Sequence, residues 1–221
     1  MRIPLGSGAW LDYDATWLSP DEADAALAAL RGELAWEQRE IVLFGRRILQ
    51  PRLIAWAGDL GYRYSGQTLE PRAFTPTAGR LLARVRVQVG ASFNHVLANR
   101  YRSGDDSMGL HADDEPELGP DPLVAIVSLG AARRLVVKPR RKEGHERQDL
   151  ELGHGALLVM GGTCQRHYVH GVPRQAGTKG ERISLTFRRL LRAPRPFMVE
   201  GRWPPEAGSG RRVSPSPWCS R

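Results

Sequence analysis

A histidine and a carboxylate two residues apart, His111 and Asp113, stand in the stretch GLHADDE, with Asp114 and Glu115 following at once. On an extended segment, side chains two apart share a face, as two ligands of one ion must. The chemistry such a pair could support is that of a mononuclear iron(II) site. That site takes two histidines and one carboxylate on one face of the metal and leaves three positions for cosubstrate and O2. His-x-Asp is equally compatible with a helix cap or with no role, so the pair alone is a weak signal. A third ligand has to come from another strand. RHYVHGVP offers His167 and His170, and their odd separation means that on a strand they face opposite sides, so only one looks inward.

Downstream, RISLTFR places Arg182, Ser184, Thr186 and Arg188 at successive same-face positions of a β-rich run. Two inward-facing arginines are very expensive unless they meet an anion. A small dicarboxylate held between them and a metal would meet that demand through bidentate hydrogen bonds. The competing reading makes this the solvent face, with the arginines merely exposed.

The elements that must position these residues are mostly short strands. From Phe93 onward, FNHVLANRY, PLVAIVSLG, RRLVVKP, DLELG, GALLVMGG, HYVHGV and RISLTFRRLL are separated by turn signals, the pattern of a β-sandwich or barrel. Upstream, Ser19 as N-cap, Pro20 at the first helical position and Glu22 three residues after the cap form a capping box. Ala23, Ala26, Leu27 and Leu30 then recur at helical spacing toward Gly32. IVLFGR reads as a short hairpin with Leu43 and Phe44 near its tip, and a second helix is expected over Pro76 to Val89, entered from Thr75. No internal repeat is present. After Leu191 the chain carries six prolines between 194 and 217, and a loosely ordered tail is expected there.

Bulk composition narrows the class. A chain of 221 residues suits a single domain, and 41% hydrophobic with 25% charged residues argues against both disorder and a fibrous chain. No apolar run reaches the length of a membrane span. The opening MRIPLGSGAWLDYD lacks a basic stretch followed by an apolar core, so a cytoplasmic location is expected, or a nuclear one in a eukaryote. Cys164 and Cys219 are too few for a disulfide framework, and no CxxC exists to hold zinc. The formal charge of +8 makes polyanions natural partners, although a composition-biased genome would give the same balance.

The order Asn99-Arg100-Tyr101, GLHADDE, HYVHGVP and RISLTFRRL resembles the AlkB family of iron(II) and 2-oxoglutarate-dependent nucleic-acid dealkylases. Upstream, VLFGRRILQPRLIAWAGDLGYRYSGQTLEP is similar to the nucleotide-recognition region of its DNA-repair members, so the likeness runs from about Ser19 to Leu191. The resemblance implies a mainly β fold with flanking helices. Its core would be a double-stranded β-helix (jelly roll) over 93–191, with an N-terminal helix, hairpin and recognition lid in 1–92 packed on it as one unit, and a tail from 192 to 221. It implies iron ligation by His111, Asp113 and His170, with His167 a structural histidine facing away. Asn99, Tyr101, Arg182 and Arg188 would hold 2-oxoglutarate, with Thr186 lining the same strand. Ser184 departs from the asparagine many members carry, so a cosubstrate contact there is lost or passes through water.

On the substrate side, Tyr62, Tyr64 and Ser65 in YRYSG match the stretch that lines the base pocket. Chemistry on a duplex base requires flipping it out of the stack. Glu115 would face the base, whose N-methylation leaves a positive charge that a carboxylate favours, while Asp114 supports the loop. Leu43 and Phe44 resemble the wedge that fills the gap left by the base. Core packing is the alternative for each of these apolar and aromatic residues. RRLVVKPRRKEGHER, residues 133–147, holds seven Lys and Arg against two Glu, either a phosphate-gripping hairpin loop or a solvated one. The implied reaction, using Fe(II), 2-oxoglutarate and O2, is demethylation of 1-methyladenine and 3-methylcytosine in DNA with release of formaldehyde, succinate and CO2. A monomer acting on nucleic acid and not on membranes is expected. The rival classes are a 2-oxoglutarate oxygenase acting on RNA, protein or a small molecule, and a non-enzymatic nucleic-acid-binding protein on the same scaffold.

Overall fold

The computed structural model describes residues 1–43, 46–64, 67–141 and 146–192. The chain opens with a hairpin of β1 (Arg2–Gly6) and β2 (Ala9–Asp14), followed by α1 (Pro20–Glu33). The expected capping box is present: the Ser19 hydroxyl accepts from the Glu22 amide while the Glu22 carboxylate accepts from that of Ser19. Two hairpins flank a longer strand: β3 (Glu40–Leu43) with β4 (Arg46–Leu49), then β5 (Leu53–Gly58), then β6 (Tyr62–Tyr64) with β7 (Gln67–Leu69). Helix α2 (Pro76–Val89) starts at Thr75, whose hydroxyl accepts from the Ala78 amide, and stops at Gly90, where φ of 68° ends the helix in a left-handed cap. The remaining strands are β8 (His95–Tyr101), β9 (Met108–His111), β10 (Val124–Gly130), β11 (Arg133–Pro139), β12 (Gln148–Leu152), β13 (Ala156–Gly161), β14 (Tyr168–Val172) and β15 (Arg182–Arg188), with a one-turn helix α3 (Cys164–His167) before β14.

The strands form two antiparallel sheets that face each other, the jelly-roll arrangement. The major sheet runs β1-β2-β13-β10-β15-β8-β5 and the minor sheet β12-β11-β14-β9. Thus β1 and β2, which the sequence did not mark as strands, complete one edge of the major sheet, and β5 closes the other. Alternation along β8 and β15 divides labour between their faces. Val96, Ala98, Ile183, Leu185 and Phe187 turn outward to a core shared with Ala23, Leu27 and Leu30 of α1 and Leu81, Leu82 and Val85 of α2. The opposite faces look into the space between the sheets, where Leu11, Ile126, Leu135, Val137 and Met160 form a second apolar layer. A third cluster, with Trp56, Tyr62, Leu69 and Leu97, fixes the β6–β7 hairpin over the end of the barrel.

One member of the basic segment is not free to meet phosphate. Arg133 is buried, and its guanidinium donates to the carbonyls of Ser103 (2.9 Å), Asp106 (2.7 Å) and Pro173 (2.9 Å) and to Gln175 Oε1 (3.3 Å). It clamps the β8–β9 loop to the segment after β14. Arg147 pairs with Asp149, Arg134 and Lys138 are exposed, and residues 142–145 lie outside the described residues, as does the chain from 193 on. Replacing Arg133 by Met removes the donor from three carbonyls, that of Asp106 buried and those of Ser103 and Pro173 half-buried. It is expected to destabilise the fold by roughly 3 kcal/mol or more, read as a fall in the urea midpoint. A midpoint within experimental error of wild type would refute the clamp.

Candidate active site

The two candidate metal strands are neighbours in the minor sheet: β14 pairs with β9 so that His170 stands opposite His111. Their rings approach to 4.3 Å between centroids. His111 and Asp113 come from the end of β9 and the extended residues after it. One donor atom from each of His111, Asp113 and His170 lies within 4.8 Å of the others, a cluster that could hold a metal ion. Hydrogen bonding aims these donors. His111 Nδ1 contacts the Gly109 carbonyl at 3.0 Å, which leaves Nε2 toward the cluster, the second interaction that usually fixes a ligand imidazole. The Asp113 amide donates to Gln165 Oε1 at 3.0 Å, and Arg188 Nη2 donates to Asp113 Oδ1 at 2.7 Å. Asp113 Oδ2 is buried with no hydrogen-bond partner among the described residues, so it is an oxygen that could ligate a cation.

Burial and charge set the protonation states. Burial alone would raise the Asp113 carboxyl, but the adjoining Arg188 guanidinium, with His170 and His111, holds it down at about 2. Burial, with help from His111, lowers His170 to about 3. A deprotonated carboxylate beside neutral imidazoles is the state in which all three can donate lone pairs.

Above the triad a narrow cavity is lined by Asn99, Tyr101, His111, His170, Arg182, Ser184, Thr186 and Arg188. The solvent-face reading of RISLTFR is excluded, because Arg182 and Arg188 are each 1% exposed. Arg182 donates through Nε to Ser128 Oγ at 2.9 Å, but its Nη1, like Arg188 Nε and Nη1, has no partner among the described residues. A buried guanidinium nitrogen without an acceptor is costly, and an anion in the cavity would meet it. Asn99 is fixed from behind by Arg52, which is buried and donates to Asn99 Oδ1 at 2.7 Å.

A family model described as "2OG-Fe(II) oxygenase superfamily" matches residues 12–188. The chain is 38% identical over 182 residues to rat "Alpha-ketoglutarate-dependent dioxygenase alkB homolog 3", covering 79% of this chain and 62% of that protein. It is 36% identical over 181 residues to mouse "DNA oxidative demethylase ALKBH2", covering 77% of this chain and 76% of that one. The chain belongs to the AlkB family of 2OG-Fe(II) oxygenases. It spans somewhat less than two thirds of the length of the alkB homolog 3 relatives. Among solved structures, "The structure of OsALKBH1" superposes with a TM-score of 0.60 at 16% identity over 86% of this chain and all of that one, a likeness of fold.

For this AlkB-family chain, the substrate-side expectations divide. Tyr62 is fully buried and meets Glu115, the residue that precedes the 3-10 turn Pro116–Leu118. Burial, reinforced by Asp113, raises the Glu115 carboxyl. Asp114 is exposed and takes a salt bridge from Arg140 at 2.5 Å, the loop-supporting role expected for it. Phe44 and Ser65 lie outside the described residues, as do the side chains of Leu43 and Tyr64, which end β3 and β6. His167 is corrected in geometry: it ends α3 and is exposed, so it is excluded from the cluster by a helical turn and not by strand alternation. Arg52 and Gln165 were missed, for neither lies in a periodic segment that would mark it as inward-facing.

Two buried imidazoles, His170 and His95, have pKa values lowered to about 3. An unfolded chain therefore binds their protons first. Their contribution to stability is complete above the ordinary histidine value of about 6.5 and is lost as pH falls below it, by up to about 1.4 kcal/mol per pH unit for each histidine. The metal-free protein is expected to lose urea resistance between pH 7 and pH 5. A flat or rising midpoint across that window would show that these rings are solvated.

Proposed function

We propose that the chain is a DNA-repair demethylase that removes N-methyl groups from 1-methyladenine and 3-methylcytosine, consuming 2-oxoglutarate and O2 and releasing formaldehyde, succinate and CO2. The observation that carries this reading is the shared cavity, with a His-Asp-His cluster, its Asp113 and His170 buried, on one wall and, at its far end, the Arg182 guanidinium, whose Nη1 has no partner among the described residues. The names carried by the relatives, a dioxygenase and a DNA oxidative demethylase, support it.

The residues fit the implied groups. His111, Asp113 and His170 would hold iron(II), since the bare Asp113 oxygen and the neutral rings supply three lone-pair donors. Bound there with 2-oxoglutarate, iron supplies the oxidation by O2 that places one oxygen on the N-methyl carbon. Arg182, with Tyr101 and Asn99, would bind the distal carboxylate of 2-oxoglutarate, and the Arg182 unit that lacks a partner would gain one. Ser184, also on this wall, is too short to replace an asparagine without an intervening water.

Toward the substrate, Glu115 sits where a cationic methylated base would stabilise its ionised form, reversing the upward push of burial and of Asp113. Tyr62 closes the same side and excludes water. The hydroxylated methyl is a hemiaminal; it loses the hydroxyl proton as the carbon–nitrogen bond breaks, giving formaldehyde and the unmodified base. The protein's share is to hold and orient these groups within reach of one another.

Iron-loaded protein given 2-oxoglutarate, O2 and oligonucleotides bearing either lesion is expected to release formaldehyde and succinate together. His111→Ala and Asp113→Ala should each reduce turnover by at least about a hundredfold through lost metal binding. Succinate without base repair would retain the oxygenase chemistry and redirect the search to RNA, protein or small-molecule substrates. Separately, Arg182→Met should raise the KM for 2-oxoglutarate at least about tenfold, the loss of a charge-assisted bidentate contact. An unchanged KM would place the cosubstrate elsewhere.

A further inference from the structure

One buried ionisable side chain beside the site has no task in that scheme. His95 opens β8 with a ring that is 1% exposed, and neither Nδ1 nor Nε2 has a hydrogen-bond partner among the described residues. It lies on the same face of β8 as Asn99 and Tyr101, in register with Arg188 on one side and Gly58 on the other. Its ring meets that of Tyr62 edge-on, with centroids 4.9 Å apart and planes at 63°. Tyr62 in turn meets Glu115, and the Arg188 guanidinium stands over its ring. His95 therefore prolongs the polar row past Arg188, away from Arg182 and toward the acid that would face a base. Its seat is built for it, since a Cβ on residue 58 would lie 2.8 Å from the imidazole Cδ2.

A phenyl ring in that seat would keep the edge-to-face contact and bury no polar atom. Two unmet ring nitrogens are destabilising, so an imidazole here calls for a partner that the described residues do not supply, and a bound ligand would be one. Burial and the nearby Arg188 keep the ring neutral, and a neutral imidazole presents one N–H donor and one acceptor. That pair suits a nucleobase edge, where amines, ring nitrogens and carbonyls alternate, and not a phosphate, which only accepts.

We infer that His95 is a specificity-determining residue that hydrogen-bonds the polar edge of the methylated base extruded into this site. The inference rests on the demethylase reading and extends it: Glu115 answers the charge of the lesion, and His95 its hydrogen-bonding edge.

The test compares wild type with His95→Phe and His95→Gln, the second keeping a donor and an acceptor. Fluorescence anisotropy on anaerobic iron-loaded protein with 2-oxoglutarate gives affinity for an oligonucleotide with one 3-methylcytosine relative to its unmodified twin. Steady-state formaldehyde release gives KM and kcat. His95→Phe should cut the preference for the methylated strand at least fivefold and raise KM by a similar factor with a smaller change in kcat, and His95→Gln should recover most of the loss. A His95→Phe protein within twofold of wild type in both assays overturns the inference, as does an equal loss in both variants accompanied by a lower melting temperature. If wild type releases no formaldehyde yet its methylated-strand preference depends on His95, the demethylase reading fails and the base-reading residue stands. If wild type shows neither turnover nor preference, both fail.

Discussion

The ion pair between Arg188 and Asp113 is the constraint on which the site depends. Both side chains are 1% exposed and the contact is 2.7 Å. A buried pair of this kind gains little over an apolar pair, but losing one partner strands the other charge, at a cost of about 3–5 kcal/mol. It joins the end of β15 in the major sheet to the residues after β9 in the minor sheet. The closure of the barrel and the placement of the carboxylate are therefore one event. Only one carboxylate oxygen is committed to the arginine, so the same bond that keeps Asp113 ionised leaves its other oxygen for a cation.

The register of β8 against β15 carries this arrangement along the wall. Ser184 stands opposite Asn99, Arg182 opposite Tyr101 and Arg188 opposite His95. A slip of one residue would exchange the two faces of a strand. On β15 it would drive the four polar side chains Arg182, Ser184, Thr186 and Arg188 into the helix-packed core and expose Ile183, Leu185 and Phe187 to the cavity. The helices α1 and α2 thus act on the chemistry without touching it: by demanding an apolar outer face they fix which side chains look inward.

Much of this was legible in the sequence because it is periodic or local. The Ser19 capping box, the Thr75–Gly90 helix, the strands from His95 to Arg188 and the His111-x-Asp113 spacing each obey a rule a few residues long. What was not legible depends on distant partners. β1 and β2 are short, interrupted by Gly6 and Gly8 with left-handed φ values of 95° and 80°, and become strands because β13 offers an edge to pair with. His167 and His170 were separated on the assumption of a continuous strand, whereas a helical turn precedes Tyr168. Arg133 looks in sequence like one more member of a basic run, and only the three carbonyls gathered around it make it structural. Arg52 and Gln165 support the site from segments with no period at all.

The polar row also has a direction. Toward Tyr101, Arg182 has Arg133 as a near neighbour, and the two cations disfavour one another, alongside the larger effect of burial on Arg182. That end lowers its energy by taking an anion. Toward His95, the charge of Arg188 is already matched by Asp113, and the next group is the Glu115 carboxyl, which burial and Asp113 push up. That end gains by taking a cation, or a neutral edge that hydrogen-bonds the imidazole. A dicarboxylate at the His95 end would face Glu115, and a methylated cationic base at the Tyr101 end would face two guanidinium groups. On the proposed reading, the order of cosubstrate, metal and base along the barrel follows from where one arginine meets its aspartate, with no need for either ligand to exclude the other by shape.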